Sequence, residues 1–127
     1  MIDHVSIAVR DLLGSAHFYE AVLKPLGYAK LVTRPATIGF GKKYPEFWLN
    51  ERRAMTPDDP DTGSHICLRA SGVEAVQAFH AIALAHGGAS DGAPGPRSAH
   101  LGCYYAAFIR DPEGNKIEAA TFTQQRA

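Results

Sequence analysis

The sequence carries one pattern twice, and the second copy follows the first by 61 positions. His4 and His65 each stand at the start of a segment in which apolar and polar residues alternate. Gly27 and Gly88 each end the helical pattern that comes next, at the same offset. Because several features keep this spacing, the chain is predicted to hold two copies of one supersecondary unit.

Each copy is predicted to be a β-α-β-β-β unit. Residues 3–10 and 63–69 alternate with the two-residue period of a half-buried strand. A helix follows each of them, the first capped by Asp11 and the second covering residues 73–86. The further strands are predicted at residues 29–33, 37–40, 46–50, 103–110 and 116–123. Residues 91–97, rich in Gly and Pro, are predicted to form a loop.

A polar connector at residues 54–63 separates the two copies. It contains two prolines and three aspartates, and it has too little apolar surface to fold alone. Module one then covers about 1–53 and module two about 64–127. Since neither half is large enough for its own core, residues 1–127 are predicted to form a single α+β domain.

Composition excludes several classes of function. The 127 residues include 13 Lys and Arg and 13 Asp and Glu, so the formal net charge is zero. This balance argues against a nucleic-acid partner and against a polybasic membrane-surface protein. No apolar run reaches the roughly 20 residues that span a bilayer, and the N-terminus lacks the pattern of a signal peptide. Two cysteines do not make a disulfide framework, so a cytoplasmic location is expected.

Strand alternation also predicts which polar side chains share a face. If the apolar residues of each strand pack on a helix, His4, His65 and Glu118 lie on the opposite face. Two imidazoles and a carboxylate suit a divalent metal ion and leave coordination positions open. Each of the three, taken alone, is more often an exposed polar residue than a metal ligand, but His4 and His65 are related by the repeat.

Three stretches of sequence resemble the vicinal oxygen chelate superfamily, which contains glyoxalases, bleomycin-resistance proteins and extradiol dioxygenases. They are IDHVSIAVRDL around His4, GSHICLRA around His65, and YYAAFIRDPEGNKIE, which ends at Glu118. The resemblance implies two βαβββ modules paired into a curved, open mixed sheet around a cleft. It also implies that the cleft holds a divalent metal, with Fe, Mn, Ni and Zn all open.

The resemblance carries three of four expected ligand positions onto this chain, namely His4, His65 and Glu118. The fourth lies in the strand at residues 46–50, where glyoxalases typically have Glu and this chain has Trp48. Indole does not bind a metal. Either the remaining set works as a two-histidine, one-carboxylate site, or metal affinity has decayed and Trp48 is an aromatic wall for a ligand.

Two functions follow from these alternatives. The first is a metal-dependent enzyme, either a glyoxalase-like lyase or isomerase or a dioxygenase-like oxidoreductase, that chelates neighbouring oxygens of a small molecule. Glu118 is the expected catalytic base, and Glu46 is a possible substitute. The second is a protein that binds a small molecule or antibiotic without chemistry, as bleomycin-resistance proteins do.

The expected substrate pocket adds four residues to the ligand set, namely Trp48, Cys67, His100 and Tyr105. Arg10 and Arg69 end the two repeat-related strands, where they can meet an anionic substrate or solvent. Relatives of this kind usually cover their open sheet edges by dimerising, so a homodimer is expected.

Overall fold

The computed structural model describes residues 1–57, 61–97 and 103–123, which form two modules of the same topology. Module one contains β1 (Val5–Val9), α1 (Leu12–Leu23), β2 (Ala29–Thr33), β3 (Thr37–Gly41) and β4 (Pro45–Glu51). Module two contains β5 (Ile66–Arg69), α2 (Val73–Ala85), β6 (Ala89–Arg97), β7 (Cys103–Arg110) and β8 (Lys116–Thr123). The predicted α+β fold of two βαβββ modules is confirmed.

Each module has its own four-stranded mixed sheet, and neither sheet is closed. The strand orders are β1-β4-β3-β2 and β5-β8-β7-β6. In each sheet the first strand of the module pairs in parallel with the last, and the other pairings are antiparallel. The parallel registers place Ser6 opposite Trp48 and Cys67 opposite Glu118. Trp48 and Glu118 therefore occupy equivalent places in the two sheets.

The first helix begins and ends where the sequence predicts. The Asp11 carboxylate accepts a hydrogen bond from the backbone N–H of Gly14, which satisfies one of the free donors at the helix start. A short 3-10 helix, Lys24–Leu26, extends α1. It stops at Gly27, whose φ of 84° is a left-handed conformation that favours glycine.

One hydrophobic core joins the modules. Its largest fully buried side chains come from both helices and both sheets, and include Tyr19, Phe47, Phe79 and Ile109. Tyr19 donates a buried hydrogen bond of 2.6 Å across the module boundary to Asp111. In the described part of the chain, no helix is both long and apolar enough to cross a membrane.

The hairpin between β7 and β8 holds the two modules together. Glu113 in this turn accepts hydrogen bonds from the backbone N–H groups of Arg10 and Asp11, at 2.6 and 2.7 Å. Asn115 donates to the backbone carbonyl of Ala8. The Asp-Pro-Glu-Gly-Asn turn of module two thus binds the end of β1 and the start of α1 in module one.

The prediction of a loop at residues 91–97 was wrong, because these residues belong to β6. The strand pairs with β7 through two register shifts, one on each side of Gly92. Gly92 has a φ of 155°, and a Cβ at this position would lie 2.9 Å from the ring of Phe108. Bulges of this kind accommodate glycine and proline in a strand and remove the alternation by which strands are recognised.

Candidate functional site

The two faces of each sheet differ in what they contact. On β4, Phe47 and Leu49 are fully buried against the helical layer, whereas Trp48 between them is only half-buried. On β8, Ile117 and Ala119 are buried in the same way. Alternation therefore places Trp48 and Glu118 on the faces that do not meet the helices, which we call the open faces.

A glutamate and a histidine are bonded to each other on the open face of module two. The Nε2 atom of His65 lies 2.9 Å from Oε1 of Glu118. Glu118 is only 2% exposed, although its neighbour His65 is exposed. A carboxylate this deep in the protein needs hydrogen-bond partners, and His65 is one of them.

Tyr104 supplies a second partner for this carboxylate. Its hydroxyl donates to Oε2 of Glu118, the oxygen that His65 does not contact. Loss of hydration, together with the hydrogen bond to Glu118 and the negative charge there, raises the pKa of Tyr104 well above its ordinary value. Tyr104 therefore stays protonated at neutral pH and acts as a hydrogen-bond donor.

Cys67 completes this cluster, as expected from its place on β5. Partial burial of the thiol, the charge of Glu118 and a hydrogen bond to it raise the pKa of Cys67 to about 12. The nearby Arg69 guanidinium acts in the opposite direction but does not outweigh them. Cys67 is therefore a neutral thiol that faces the pocket, and its sulfur is a poor nucleophile at neutral pH.

His4 lies on module one and does not touch the other two expected ligands. Its Nδ1 atom is 2.7 Å from the Asp3 carboxylate, and about half of its side chain is exposed. A cavity of about 310 Å³ at the boundary between the modules is nonetheless lined by both His4 and His65. Cys67 and Glu46 also line it, and Glu46 accepts a hydrogen bond of 3.2 Å from Tyr28.

The donor set of module two fits one half of a metal site. Imidazole nitrogen and carboxylate oxygen are both atom types that bind divalent metal ions in proteins. His65 Nε2 and Glu118 Oε1, which lie 2.9 Å apart, present one atom of each type on the same face. Within residues 1–57, 61–97 and 103–123, no three His, Cys, Asp or Glu side chains lie close enough together to hold an ion. A third protein ligand would have to move to this pair or come from another chain.

Trp48 forms a flat aromatic wall on the open face of module one. Its ring lies over Gly39 of the neighbouring strand, where an added Cβ would be 2.9 Å from two ring atoms. The Arg34 guanidinium lies 5.5 Å from the centre of the same ring, within reach of a cation–π interaction. The indole ring of Trp48 is therefore held between the sheet and Arg34 on the open face of module one.

The expected pocket residue Tyr105 does not lie on the open face. Tyr105 lies on the helix side of β7, where its hydroxyl accepts a hydrogen bond of 3.2 Å from Gln77 of α2. Its expected place in the pocket is thus corrected, because side chains alternate along the strand and Tyr104 takes the open face. His100 falls outside the described residues.

Of the Tyr104–Tyr105 pair, sequence reasoning placed only Tyr105 in the pocket, and it did not consider Phe108. Phe108 lies opposite Glu118 in the β7–β8 register, and its ring centre is 5.8 Å from that of His65. Tyr104 and Phe108 are four positions apart on β7, so alternation places both on the same face. The pairing of β7 with β8 across the Asp-Pro-Glu-Gly-Asn turn is the signal that would have identified them.

Comparison with known proteins places this geometry in context. The family model described as Glyoxalase/Bleomycin resistance protein/Dioxygenase superfamily matches residues 1–119. Among solved structures, a glyoxalase/bleomycin resistance protein from Albidiferax ferrireducens T118 is 33% identical over 94% of this chain and 97% of that chain, with a TM-score of 0.83. A search of curated proteins gives no match.

Two more distant structures share the fold. A glyoxalase/bleomycin resistance protein/dioxygenase family enzyme from Burkholderia phytofirmans PsJN is 19% identical, with coverage of 96% and 98% and a TM-score of 0.73. The genomically encoded fosfomycin resistance protein FosX from Listeria monocytogenes is 16% identical, with coverage of 97% and 93% and a TM-score of 0.69.

Proposed function

Since the chain belongs to the glyoxalase/bleomycin resistance protein/dioxygenase superfamily, we propose that it is a metal-dependent enzyme acting on a small molecule with neighbouring oxygen atoms. Members of this superfamily usually use metal ions. The observation that carries the proposal is the contact between His65 and the buried carboxylate of Glu118. Imidazole and carboxylate are both common metal ligands, and these two groups lie on the open face of module two rather than against the helices.

His65 and Glu118 would hold the ion, with His4 as the third protein ligand. A divalent ion bound there, whether Fe, Mn, Ni or Zn, would act as a Lewis acid that polarises the substrate oxygens. His4 reaches the site from its own chain or from a second copy in a homodimer. The homodimer is part of the proposal, because β1 and β5 each pair on one side only in the described residues.

Glu118 is the proposed base for proton transfer. Its Oε2 atom accepts a hydrogen bond from Tyr104 and its Oε1 atom faces His65, so the carboxylate cannot rotate freely. A glyoxalase-like isomerase or lyase needs such a base to move a proton between substrate atoms. A dioxygenase-like reaction would use the same residues to bind and orient the substrate. Glu46, held by Tyr28, is the alternative base.

The proposal is tested by elemental analysis of the purified protein beside the variants His65→Ala and His4→Ala. About one metal ion per chain in the wild type, lost in both variants, is the expected result. Absence of metal, even after incubation with divalent ions, would contradict the enzyme proposal. Mixing the two variants separates the remaining alternatives, because a site shared between two chains regains metal in the mixed dimer and a site within one chain does not.

A second function is favoured by one observation, the replacement of a ligand position by Trp48. At the place equivalent to Glu118, module one presents a flat ring braced by Arg34. A protein that binds an antibiotic or another small molecule without chemistry needs such a wall and needs no base. Ligand binding that persists in Glu118→Gln, without turnover in the wild type, would support this function.

Cys67 and Cys103 are free thiols, which supports the proposed cytoplasmic location.

A further inference from the structure

The open face of module two concentrates positive charge in a chain whose formal net charge is zero. Four cations stand on this face, each placed by strand alternation: Arg69, Arg97, Arg110 and Lys116. Among the described residues, two carboxylates, Asp91 and Glu118, accompany them, which leaves an excess of two positive charges there. Asp91 bridges Arg110 and Lys116 at 3.0 and 3.3 Å, while Glu118 contacts His65 and Tyr104 instead of a Lys or Arg.

The four cations differ in what holds them. Arg97 donates to the backbone carbonyls of residues 93, 95 and 96 in its own strand, so its guanidinium braces β6. Arg110 and Lys116 share Asp91. Arg69 alone among the four has neither a carboxylate partner nor a backbone brace within residues 1–57, 61–97 and 103–123.

Arg69 is nevertheless held in a defined position. Its guanidinium lies 4.9 Å from the centre of the Phe122 ring. That ring also stacks on Tyr104, with an interplanar angle of 12° and 5.1 Å between ring centres. A guanidinium stacked on a ring keeps its in-plane N–H groups available, and these match the two oxygens of a carboxylate or phosphonate.

Arg69 also stands at a defined distance from the candidate base. It lies opposite Ala120 in the β5–β8 register, one pleat beyond the Cys67–Glu118 pair. The backbone positions of such diagonal neighbours are about 7 Å apart, and the Arg69 guanidinium lies over Phe122, one pleat farther along β8. The side chains beside this diagonal are small. Ala120 of β8 lies opposite Arg69 and pairs with Ala106 of β7. A ligand of a few bonds' length can therefore reach from Arg69 to Glu118 across this floor.

We propose that the ligand of this site is a small organic acid whose carboxylate or phosphonate pairs with Arg69. Its other end, which carries oxygen atoms, lies at His65 and Glu118. The inference rests on the proposed function only in placing the reacting end of the ligand at Glu118. It adds the chemical class of the substrate and names Arg69 as the residue that selects it.

The test compares matched probes on the metal-free protein, so that no acid can bind through an ion. The probes are 4-hydroxybenzoate, 4-hydroxyphenylphosphonate and the neutral 4-hydroxybenzamide. In each of them the hydroxyl and the head group stand at opposite ends of the ring. We expect calorimetry to show that at least one acid binds about tenfold more tightly than the amide. The stronger of the two acids identifies the head group.

The variant Arg69→Gln is expected to remove this tenfold preference without changing the affinity for the amide. Arg69→Lys, which keeps the charge but loses the planar fork, should retain part of it. Arg53→Gln is the matched control, because Arg53 is 82% exposed, pairs with Glu51 and lies far along the chain in module one. The preference should also shrink between low and high salt.

Equal binding of acids and amide by the wild type would overturn the inference, as would failure of both acids to bind. So would an Arg69→Gln variant that keeps the preference, or one that weakens all three probes alike. If Arg69→Gln does not fold, Arg69→Lys decides: a reduced preference for the acids supports the inference, and an unchanged preference overturns it. Metal content is measured separately, so a protein that prefers acids but binds no metal would reject the proposed enzyme and retain this inference.

Discussion

The two modules share one topology, yet equivalent places on their open faces hold a tryptophan and a glutamate. Trp48 lies opposite Ser6 in the β1–β4 register, and Glu118 lies opposite Cys67 in the β5–β8 register. The preceding histidine differs as well. His65 is hydrogen-bonded to Glu118, whereas in the described residues the His4 ring is hydrogen-bonded to its sequence neighbour Asp3.

The neighbouring strand differs in a complementary way. Gly39 lies opposite Trp48 and leaves room for the indole ring to lie flat on the sheet. Phe108 lies opposite Glu118, so in module two the large side chain comes from the neighbouring strand. At these paired positions each module thus has one large ring, Trp48 from β4 in module one and Phe108 from β7 in module two, and in module two it lies opposite the carboxylate of Glu118. Under the proposed function, the duplicated fold divides its work, with the acid–base carboxylate in one copy and the indole ring in the other.

The largest expected effect comes from substituting Glu118 and comparing the result with a substitution of its equivalent, Trp48. Glu118→Gln removes the charge that a cation needs while keeping the size of the side chain. Affinity for Zn²⁺ or Mn²⁺, measured by titration calorimetry, should fall by more than about 100-fold, because loss of a ligand exceeds the effect of outer partners. Trp48→Phe should change it by less than about threefold. Equal losses in the two variants would mean that the modules do not divide the work in this way.

The hairpins of the two modules provide the next comparison. In module one the turn between β3 and β4 leaves Tyr44 73% exposed, whereas in module two Glu113 binds the start of α1. Glu113→Gln should lower the free energy of unfolding by about 2 kcal/mol at pH 7, because two charge-assisted bonds to backbone N–H groups are weakened. Tyr44→Phe is the control and should leave stability unchanged.

This hairpin also predicts a dependence on pH. Burial acts to raise the pKa of Glu113, but hydrogen bonds from the backbone of Arg10 and Asp11 outweigh it and hold the pKa below its usual range. The stabilisation is therefore complete above the pKa of the unfolded chain, about 4.3, and is lost as the pH falls through the lower folded value. Denaturant titrations between pH 3 and 7 should show a flatter profile for Glu113→Gln. Parallel profiles for the wild type and Glu113→Gln would show that ionisation of Glu113 does not contribute to stability.

The adjacent tyrosines of β7 give a smaller effect with an internal control. Tyr104→Phe removes the hydrogen bond to Oε2 of Glu118 and should weaken metal binding about tenfold. Tyr105→Phe removes only a bond from Gln77 of α2 and should leave metal affinity unchanged. The two variants differ by one position, so the assignment of faces on β7 fails if their effects are reversed.

This pair of tyrosines also shows how far the sequence alone could be read. Alternation predicted β1, β4, β5 and β8, and it placed His65 and Glu118 on one face, because each strand has a regular apolar side. In a Tyr-Tyr pair either residue can face the core. Only the register of β7 against β8 decides between them, and that register depends on contacts between strands.

Two other features lay beyond the sequence for different physical reasons. β6 was missed because Gly92 and its neighbouring bulges interrupt the two-residue period. The separation of His4 from the His65–Glu118 pair depends on how the modules pack against each other. That packing is set by buried contacts between distant residues, such as Tyr19 with Asp111, which leave no local pattern in either segment.

The smallest expected effect tests the complementary packing of Gly39 and Trp48. In Gly39→Ala the new Cβ would lie 2.9 Å from two atoms of the indole ring and 3.0 Å from Cβ of Pro45, so the ring must tilt away from the sheet. This should cost about 1 kcal/mol of stability. Since Trp48 is the single tryptophan, its fluorescence should shift to longer wavelength as the ring meets more water. Gly72→Ala is the control, because a Cβ there meets nothing within 4 Å. An unchanged spectrum in Gly39→Ala would show that the indole does not rest on the glycine, and the wall of module one would then need another support.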